Sequence, residues 1–595
     1  MNVISVLTLL GGLGIFLFGM NFMGESLEKS AGEKLKTMLD NLTSSPIRGI
    51  LLGMIVTAII QSSTATTVMV VGFVNSGIME FSQSMGIIVG SNIGTTMTAW
   101  LLSLSGAEDG NLFVQLFKPS TMSLVCAAVG IILYMFIKKS KSKDIGGIIL
   151  GFSVLLIGMG MMSDAVKPLA HNESFKNILL LFSNPILGVA VGALFTAVIQ
   201  SSSAAVGIVQ ALAVTGQITC VTAIPIILGA DIGACTTAIL SSIGANKSAK
   251  RAAVFRLYFN TTGVVIFMIV FYIFKSITNA PFLYKSMNAA EIAIVHTSFN
   301  LFTTITLFPF MKQFEKLAYI LIKDDKEKSE NTFESLIDER LLQTPSVAVA
   351  QCKKATDQMA VLAKNNFITS LNLINNFDEK IAEQIVENEN MSDIYEDKLG
   401  TFLVKVCRKT LSVGDSHETS NLLHTIGDFE RISDHSLNMM KVAKEIHDKK
   451  LKFSDEACSE LKNLKDALIE ILEITVDSFI NNDLEEAKKV EPLEQVIDKL
   501  KSNIKKAHVA RLQKGICTIE TGFVLSDLIT NCERVADHCS NIAVCLIQVA
   551  DDSFDTHEYL NNVKSHGDEM FDKLYKAYKQ KYGITKSVQP AEPQS

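Results

Sequence analysis

Residues 61–67 read Gln-Ser-Ser-Thr-Ala-Thr-Thr, a small polar cluster inside an otherwise apolar run from Ile47 to Val74. Amide and hydroxyl groups are costly in hydrocarbon unless they meet polar partners there. A close copy of the cluster, QSSSAAV, begins at Gln200. The repetition of these groups within apolar runs indicates that they meet something polar inside a membrane.

The composition divides the chain into two parts. Of the 595 residues, 48% are hydrophobic, and the mean hydropathy is positive. Long apolar runs dominate up to about Met311, whereas the chain from Lys312 onward is charged and shows helical periodicity. We therefore expect a membrane domain followed by a soluble helical domain. The net charge of -7 gives no reason to expect nucleic acid as a partner. The ten scattered cysteines show no disulfide or zinc pattern.

The membrane part contains an internal repeat with an offset of 139 residues. Three blocks recur at this offset: FLFGMNFM and LLIGMGMM from Phe16 and Leu155, the segments PIRGILLGMIVTAIIQSS and PILGVAVGALFTAVIQSS that end at Ser63 and Ser202, and GSNIGTTMTA and GADIGACTTA from Gly90 and Gly229. Proline, glycine, glutamine and serine keep their register, which chance apolar similarity would not produce. We infer a duplication.

Segment lengths indicate how the repeats cross the membrane. A spanning helix needs roughly 20 apolar residues. Seven segments meet this need: 3–23, 83–104, 119–137, 145–163, 217–243, 255–274 and 292–311. The apolar segments on either side of each Gln-Ser-Ser are too short to cross alone. They predict two half-helices of a re-entrant hairpin, whose polar tip must face protein or a water-filled cavity.

Basic loops indicate the orientation of the spans. KKSKSK at 138–143 and NKSAKRAAVFR at 246–256 are the most basic short loops, and we place both in the cytoplasm. Three crossings per repeat then invert the second copy, so the two hairpin tips meet near the midplane. Many secondary transporters form their substrate site between such inverted repeats. The predicted fold is all-α, a polytopic membrane transporter of two inverted repeats with re-entrant QSS hairpins, followed by a cytoplasmic helical-bundle domain.

The chemistry of the clusters suits ions. The free N–H groups and the positive dipole end of a half-helix that begins at the tip favour an anion. Hydroxyl and carboxamide oxygens can coordinate a hard cation such as Na⁺. Because the clusters contain no lysine or arginine, a multiply charged anion would need co-bound cations. The alternative is that these residues only pack helices together, which explains a repeated Gln-Ser-Ser poorly.

Residues 5–311, approximately, resemble sodium-phosphate cotransporters of the type II class, bacterial branch. The resemblance is carried by the paired QSS motifs, the GSNIGT and GADIGACTT segments and the FLFGM start. The resemblance implies Na⁺-coupled uptake of inorganic phosphate. It also implies a phosphate and sodium site lined by Gln61, Ser62, Ser63, Thr64, Gln200, Ser201, Ser202 and Ser203, with Asn92, Thr95 and Thr96 of the NIGT segment.

Three further polar residues of the membrane part have more than one interpretation. Asp231 is the acidic residue that we place well inside a span, and intramembrane carboxylates are functional candidates. It could ligate Na⁺, carry a proton, or be satisfied by a neighbouring helix N-terminus. We interpret Arg256 as an anchor at a cytoplasmic helix start, and His296 as a satisfied polar residue within the bundle.

The soluble part also repeats. DIYEDKL from Asp393 pairs with EQVIDKL from Glu494, and DFERISDHSLNM from Asp428 pairs with NCERVADHCSNI from Asn531, which predicts two three-helix bundles. These blocks resemble PhoU-type regulatory domains, which are fused to some transporters of the family above.

Four acidic pairs at i, i+4 place both carboxylates on one helix face. They are Asp393/Asp397, Glu430/Asp434, Glu494/Asp498 and Glu533/Asp537. We predict that they bind a divalent metal such as Mg²⁺, Mn²⁺ or iron. Solvated helix faces, or pairing with Arg431 and Arg534, are the alternatives.

The predicted organisation is a sodium-phosphate symporter domain at 1–311, with repeats at about 5–137 and 144–311, a linker at 312–344, a PhoU-like domain at 345–582 and a disordered tail at 583–595. We expect Na⁺-coupled phosphate symport into the cytoplasm across the inner cell membrane, regulated by the C-terminal domain. The expected protein partners are a second copy of the chain or a cytoplasmic regulatory protein. The alternatives are a membrane-tethered phosphate sensor and a carrier of another tetrahedral anion. The sequence contains no phosphate loop or nucleophile elbow that would indicate an enzyme.

Overall fold

The computed structural model describes residues 3–40, 45–75, 79–103, 119–137, 139–168, 181–278, 280–323, 337–550 and 569–583. Within these ranges the regular elements are helices, and the β-structure is one isolated bridge between Thr219 and Ser286. The all-α prediction is therefore confirmed. The chain forms two compact units, residues 1–348 with 409–413, and residues 349–408 with 414–595.

The α-helices of the first unit follow the predicted pattern of long and half-length segments. They are α1 Val3–Asp40, α2 Pro46–Ile60, α3 Ser63–Asn75, α4 Phe81–Ser103, α5 Pro119–Ile131, α6 Ser140–Val166, α7 Pro185–Ile199, α8 Ser202–Ala213, α9 Cys220–Gly233, α10 Cys235–Ser241, α11 Lys247–Thr278, α12 Ala289–Leu307 and α13 Met311–Leu321. Short 3-10 turns lie at Pro281–Tyr284, Phe308–Phe310 and Glu339–Gln343.

Six stretches of the described residues are long and apolar enough to cross a membrane. They are Val3–Ala31, Phe81–Ser103, Lys141–Val166, Cys220–Ser241, Lys247–Thr278 and Ala289–Leu321. The seventh predicted span, 119–137, contains helix α5 and a π-helical turn at Ile132–Phe136. Among the described residues this stretch counts as one of the shorter apolar helices, Thr121–Phe136.

Glycines set the packing of each half-helix against the following span. A Cβ atom on Gly53 or Gly90 would lie 2.1 or 2.0 Å from a carbonyl oxygen of the facing helix, where α2 runs along α4. Where α7 runs along α9, a Cβ atom on Gly192 or Gly229 would likewise lie 2.1 or 2.2 Å from a carbonyl oxygen of the facing helix. Real Cβ atoms do not approach so closely, hence these positions require glycine. The four glycines are equivalent under the repeat, so the duplicated sequence builds the same tight helix pair twice.

The predicted linker, 312–344, contains ordered segments. Helix α13 occupies its first part, and the 3-10 turn Glu339–Gln343 lies near its end. Leu341 of that turn is buried and packs over Gly72 of α3. Residues 324–336, with most of the charged KDDKEKSEN run, lie outside the described residues, as does the predicted tail from residue 584.

The second unit contains two groups of packed helices. Its α-helices are α14 Pro345–Leu373, α15 Glu379–Cys407, α16 Val413–Asp448, α17 Asp455–Asn481, α18 Leu484–Ala487, α19 Val490–Gln513, α20 Ile519–Ala550 and α21 Glu569–Lys581. Leu373, Ile385 and Met440 share a core between α14, α15 and α16. Helices α17, α19 and α20 pack against one another in the second group.

Candidate ion-transport site

Both QSS sequences break a helix in the same way. Gln61 and Gln200, which follow α2 and α7, adopt left-handed backbone angles with φ of 57° and 60°. A left-handed residue ends a helix, and in a residue other than glycine it is held there at a cost in free energy. New half-helices then begin at Ser63 and Ser202. The predicted re-entrant hairpins are present, and each polar cluster lies at the tip.

Serines cap the second half-helix of each hairpin. Ser62 Oγ accepts a hydrogen bond from the Ala65 N–H at 3.1 Å, and Ser201 Oγ accepts one from the Ala204 N–H at 3.2 Å. The first N–H groups of a helix have no partner within the helix, and each cap occupies only one of them. The remaining N–H groups at the start of α3 and α8 are suited to an anion.

Arg256 supplies a positive charge at the first hairpin. Its guanidinium donates to the carbonyl oxygen of Ser63 at 3.1 Å, to Ser63 Oγ at 3.1 Å, and to Thr67 Oγ1. The side chain is buried, with a relative exposure of 2%. The interpretation of Arg256 as an anchor at a helix start is wrong, because α11 begins at Lys247 and the buried side chain of Arg256 faces the hairpin. The signal that could have revealed this role is the position of Arg256, which lies nine residues after the start of α11 at Lys247.

The two NIG-type segments meet through a third residue. Asn92 Nδ2 donates to Asn260 Oδ1 at 2.7 Å, and Asn260 Nδ2 donates to the main-chain oxygen of Asp231 at 3.0 Å. Positions 92 and 231 are equivalent in the two repeats. The bridging role of Asn260 was not predicted.

The threonines of the NIGT segment bond within their own helix. Thr95 Oγ1 donates to the Ser91 carbonyl at 2.9 Å, and Thr96 Oγ1 donates to the Ile93 carbonyl at 2.8 Å. A hydroxyl that donates in this way keeps its oxygen lone pairs as acceptors. These oxygens can therefore serve as ligands for a cation.

The two hairpins differ in how their tips are closed. In the first, Thr98 Oγ1 donates to Gln61 Oε1 at 3.0 Å, and Gln61 is buried. The equivalent Thr237 Oγ1 of the second repeat is buried without a hydrogen-bond partner, and Gln200 is exposed. The same sequence element thus occurs in two different environments.

Asp231 lies beside a buried histidine. Its Oδ2 accepts a hydrogen bond from Asn300 Nδ2 at 3.2 Å, and its Oδ1 is 3.5 Å from His296 Nε2. His296 is fully buried, and neither ring nitrogen has a hydrogen-bond partner. Its interpretation as a satisfied residue is wrong, because the ring faces a carboxylate at a distance beyond that of a hydrogen bond.

The predicted metal ligands of the second unit are not gathered into a metal site. In the part of the chain that the structure describes, no three His, Cys, Asp or Glu side chains are grouped so that they could hold a metal ion. Metal binding therefore stays a prediction for the eight carboxylates, which are Asp393, Asp397, Glu430, Asp434, Glu494, Asp498, Glu533 and Asp537.

Helix rotation is one reason for this difference. Spacing of i, i+4 places two carboxylates on one face of their helix, but it does not determine which neighbour that face meets. Asp393, Asp397 and Asp498 are exposed, whereas Asp434 is half-buried. Asp393, Asp397 and Asp498 thus lie on solvated helix faces, which was one of the two alternatives to metal binding.

Basic side chains close to the acidic pairs are the second reason. Lys501 forms an ion pair with Glu533. Arg431 lies 3.5 Å from Glu430 and Arg534 lies 3.6 Å from Asp537, as the pairing alternative anticipated. These cations neutralise carboxylates that were expected to bind a metal.

Three carboxylates of the first bundle, Asp393, Glu430 and Asp434, form a negatively charged group. Burial raises the pKa of Glu430, Arg431 opposes the shift, and the charges of Asp393 and Asp434 add to it. The charges of Asp393 and Asp434 are therefore near enough to act on Glu430, although the three carboxylates are not grouped as metal ligands among the described residues.

Two histidines of the ERxxDH blocks form a reciprocal contact that was not predicted. His538 Nδ1 lies 2.8 Å from Asp428 Oδ1, and His435 Nδ1 lies 2.8 Å from Asn531 Oδ1. Positions 428 and 531, like 435 and 538, are equivalent in the repeat. The duplicated helices α16 and α20 therefore meet through matching residues. Burial lowers the pKa of His435, and the hydrogen bond to Asn531 opposes this.

The geometry of the first unit agrees with its similarity to known proteins. The Na⁺/Pi-cotransporter family matches residues 15–164 and 154–304, one match for each repeat. The membrane half of the chain belongs to the Na⁺/Pi-cotransporter family. The PhoU domain family matches residues 356–443 and 461–546, so two PhoU domains follow the cotransporter repeats.

Individual relatives resemble different lengths of the chain. The "Putative inorganic phosphate export protein YjbB" of Escherichia coli (strain K12) is 23% identical over 93% of this chain and 100% of its own length. The sodium-dependent phosphate transport protein 2A of Rattus norvegicus is 32% identical over 20% of this chain and 19% of its own. A crystal structure of PhoU from Pseudomonas aeruginosa has 17% identity and a TM-score of 0.33, covering 36% of this chain and all of that one.

Proposed function

We propose that this cotransporter carries inorganic phosphate into the cytoplasm in symport with Na⁺, across the inner membrane. The observation that carries the proposal is the first hairpin, where a half-helix begins at Ser63 beside the buried guanidinium of Arg256. A helix N-terminus and a buried cation together favour an anion. Hydroxyl and amide oxygens of both tips supply ligands for Na⁺, which offsets the remaining charge of the phosphate.

Outward transport is the second candidate function. It is favoured by the YjbB relative, whose name describes phosphate export and whose similarity extends over 93% of this chain. A symporter follows the combined gradients of its substrates, so the same site can serve either direction. The physiological direction then depends on which gradient dominates.

Reconstituted protein with labelled phosphate tests both candidates. We expect phosphate to accumulate in proteoliposomes under an inward Na⁺ gradient and to leave loaded ones under an outward Na⁺ gradient, with K⁺ as the control cation. Excess unlabelled sulfate should not compete. Equal phosphate flux with Na⁺ and K⁺ would contradict Na⁺ coupling, and competition by sulfate would favour the broader anion carrier.

The hairpin serines should affect substrate affinity. Ser63→Ala and Ser202→Ala each remove a hydroxyl from a half-helix start, and a lost hydrogen bond to a charged group costs about 1.5–3 kcal/mol. We expect the apparent phosphate or Na⁺ affinity to fall by about 10- to 150-fold in uptake assays. Ser84→Ala is the control, because Ser84 is equally buried and donates within its own helix to Phe81. Unchanged uptake in both tip variants would refute the site.

The chain segment before the PhoU domains supports a regulatory role for them. Asp338 accepts a hydrogen bond from Asn75 at the end of α3, at 2.8 Å. Arg340 pairs with Asp338 at 2.7 Å and donates to the carbonyl oxygens of Ser241 and Ile243, at and after the end of α10. The segment thus links a half-helix of one repeat to a helix end of the other. A movement of the C-terminal domain could reach the hairpin through it.

Arg340→Ala should change transport without touching the ion site. Hydrogen bonds to a charged group contribute about 1.5–3 kcal/mol, so their loss should shift the balance between carrier conformations. We expect the maximal uptake rate to rise by up to about tenfold while the KM for phosphate changes little. Gln343→Ala, an exposed position of the same turn, is the control. Identical rates for both variants and the parent would argue against this route.

We propose divalent metal binding only for the first PhoU bundle, where the charges of Asp393 and Asp434 act on the half-buried Glu430. A bound cation would relieve this repulsion once the side chains move together. Saturating Mn²⁺ or Mg²⁺ should stabilise the full-length protein by about 2.7 kcal/mol at a hundredfold excess over the dissociation constant, raising its unfolding temperature. Glu430→Gln should abolish the shift. An unfolding temperature that is the same with metal and with chelator would remove the metal from the proposal. Homodimerisation and a cytoplasmic partner remain proposals for this domain.

A further inference from the structure

The environment of Asp231 and His296 points to a second kind of coupling ion. We propose that these two side chains form a proton-binding site, so that phosphate transport by this chain is linked to proton movement as well as to Na⁺. The inference rests on the proposed function and adds an ion to it. Its basis is a buried carboxylate 3.5 Å from a buried imidazole whose nitrogens both lack hydrogen-bond partners.

Asp231 and His296 differ in the partners of their polar atoms, and therefore in which of them can take up a proton. Both carboxylate oxygens of Asp231 face side chains, Asn300 at 3.2 Å and His296 at 3.5 Å. The imidazole of His296 is without an acceptor for its N–H, and a buried unpaired donor costs about 1–3 kcal/mol. A neutral imidazole that takes up a proton carries an N–H on both nitrogens. Nε2–H would then face Asp231 Oδ1 as one member of an ion pair.

The other charges around the pair are few. Helices α4 and α8, which pack against α12, contain no ionisable residue. Helix α9 contributes Asp231 itself, and α10 contributes the buried thiol of Cys235. Helix α11 contributes Arg256, which interacts electrostatically with Asp231 while its hydrogen bonds go to the first hairpin. One bound proton therefore changes the charge of the centre from near neutral to positive, which favours an anion nearby.

The ligand type favours a proton over Na⁺ at this position. Hard cations take oxygen ligands, and an imidazole nitrogen suits softer metals. Asp231 also occupies the place that Asn92 has in the first repeat. An amide cannot take up a proton, whereas a carboxylate can. The duplicated position is therefore titratable in one repeat only.

Transport driven by a pH gradient tests the inference. Proteoliposomes contain equal Na⁺ on both sides, with K⁺ and valinomycin holding the membrane potential at zero. We expect a pH gradient alone to drive phosphate accumulation with the wild-type chain. Asp231→Asn, which installs the residue of the first repeat, and His296→Gln should each lose this response. Thr297→Val, a non-titratable neighbour that bonds to Trp100, should retain it. Because phosphate itself titrates, the comparison is made between variants at the same pH.

The outcomes separate this inference from the proposed function. If a Na⁺ gradient drives no transport in the wild type, the proposed function fails. If Na⁺ drives transport but the pH gradient does not, only the proton site is refuted. Equal pH-driven flux in the wild type and both variants also refutes it, since the flux then follows the titration of phosphate.

Infrared spectroscopy covers variants that do not transport. Difference spectra of the phosphate-free protein between about pH 5 and 8 should show a change from imidazole to imidazolium bands that His296→Gln lacks and whose midpoint Asp231→Asn shifts. If the wild type and His296→Gln give the same imidazolium bands, the proposal is overturned.

Discussion

Arg256→Met should lower Na⁺-driven phosphate uptake by more than about 100-fold. The guanidinium makes its hydrogen bonds to Ser63 and Thr67 from a fully buried position. Each hydrogen bond to a charged group contributes about 1.5–3 kcal/mol, and 1.36 kcal/mol corresponds to a factor of ten. The loss acts twice, because the hairpin loses its support and the anion loses a positive charge. Initial rates in proteoliposomes measure the effect, normalised to inserted protein.

Two matched variants separate these contributions. Arg256→Lys keeps the charge but cannot reproduce the planar donor fork, so it should have an intermediate rate. Lys250→Met removes a charge from the same helix at a half-buried position and should transport normally. Transport by Arg256→Met within a factor of a few of the parent would show that the hairpin functions without this contact.

Gly90→Ala should destabilise the cotransporter more than other single methyl additions. The added Cβ would lie 2.0 Å from the carbonyl oxygen of Ile50, in backbone that cannot rotate away. Helices α2 and α4 would have to separate, and overpacking of this kind costs about 1–3 kcal/mol or more. We expect a lower unfolding temperature in detergent and a lower yield of folded protein. Because α2 leads directly to Gln61, the separation should also displace the hairpin tip.

Gly160→Ala is the matched control, since a Cβ at Gly160 meets no atom within 4 Å. Alanine is favoured over glycine in a helix by up to about 1 kcal/mol, so this variant should be as stable as the parent or more so. If both variants unfold at the same temperature as the parent, the close helix contact is not a constraint on the fold.

The sequence by itself determined the architecture of the membrane half. Gln61 and Gln200 at the end of short apolar segments predicted the broken helices, and the 139-residue offset predicted two related halves. These features can be predicted from sequence because helix breaks, caps and segment lengths depend on residues that are near one another in the chain. The repeat also brought Asn92 and Asp231 into consideration together, since duplicated positions of inverted repeats meet at their interface.

Tertiary structure decided which polar side chains act together. Arg256 contacts Ser63 across 193 sequence positions, and His296 approaches Asp231 from a different helix. In the second unit, Lys501 pairs with Glu533, a predicted metal ligand. A contact of this kind depends on the rotation of one helix against another, which the packing of all their neighbours fixes and no local pattern encodes. Sequence alone therefore predicted where the chain breaks, while packing determined which charges meet at those breaks.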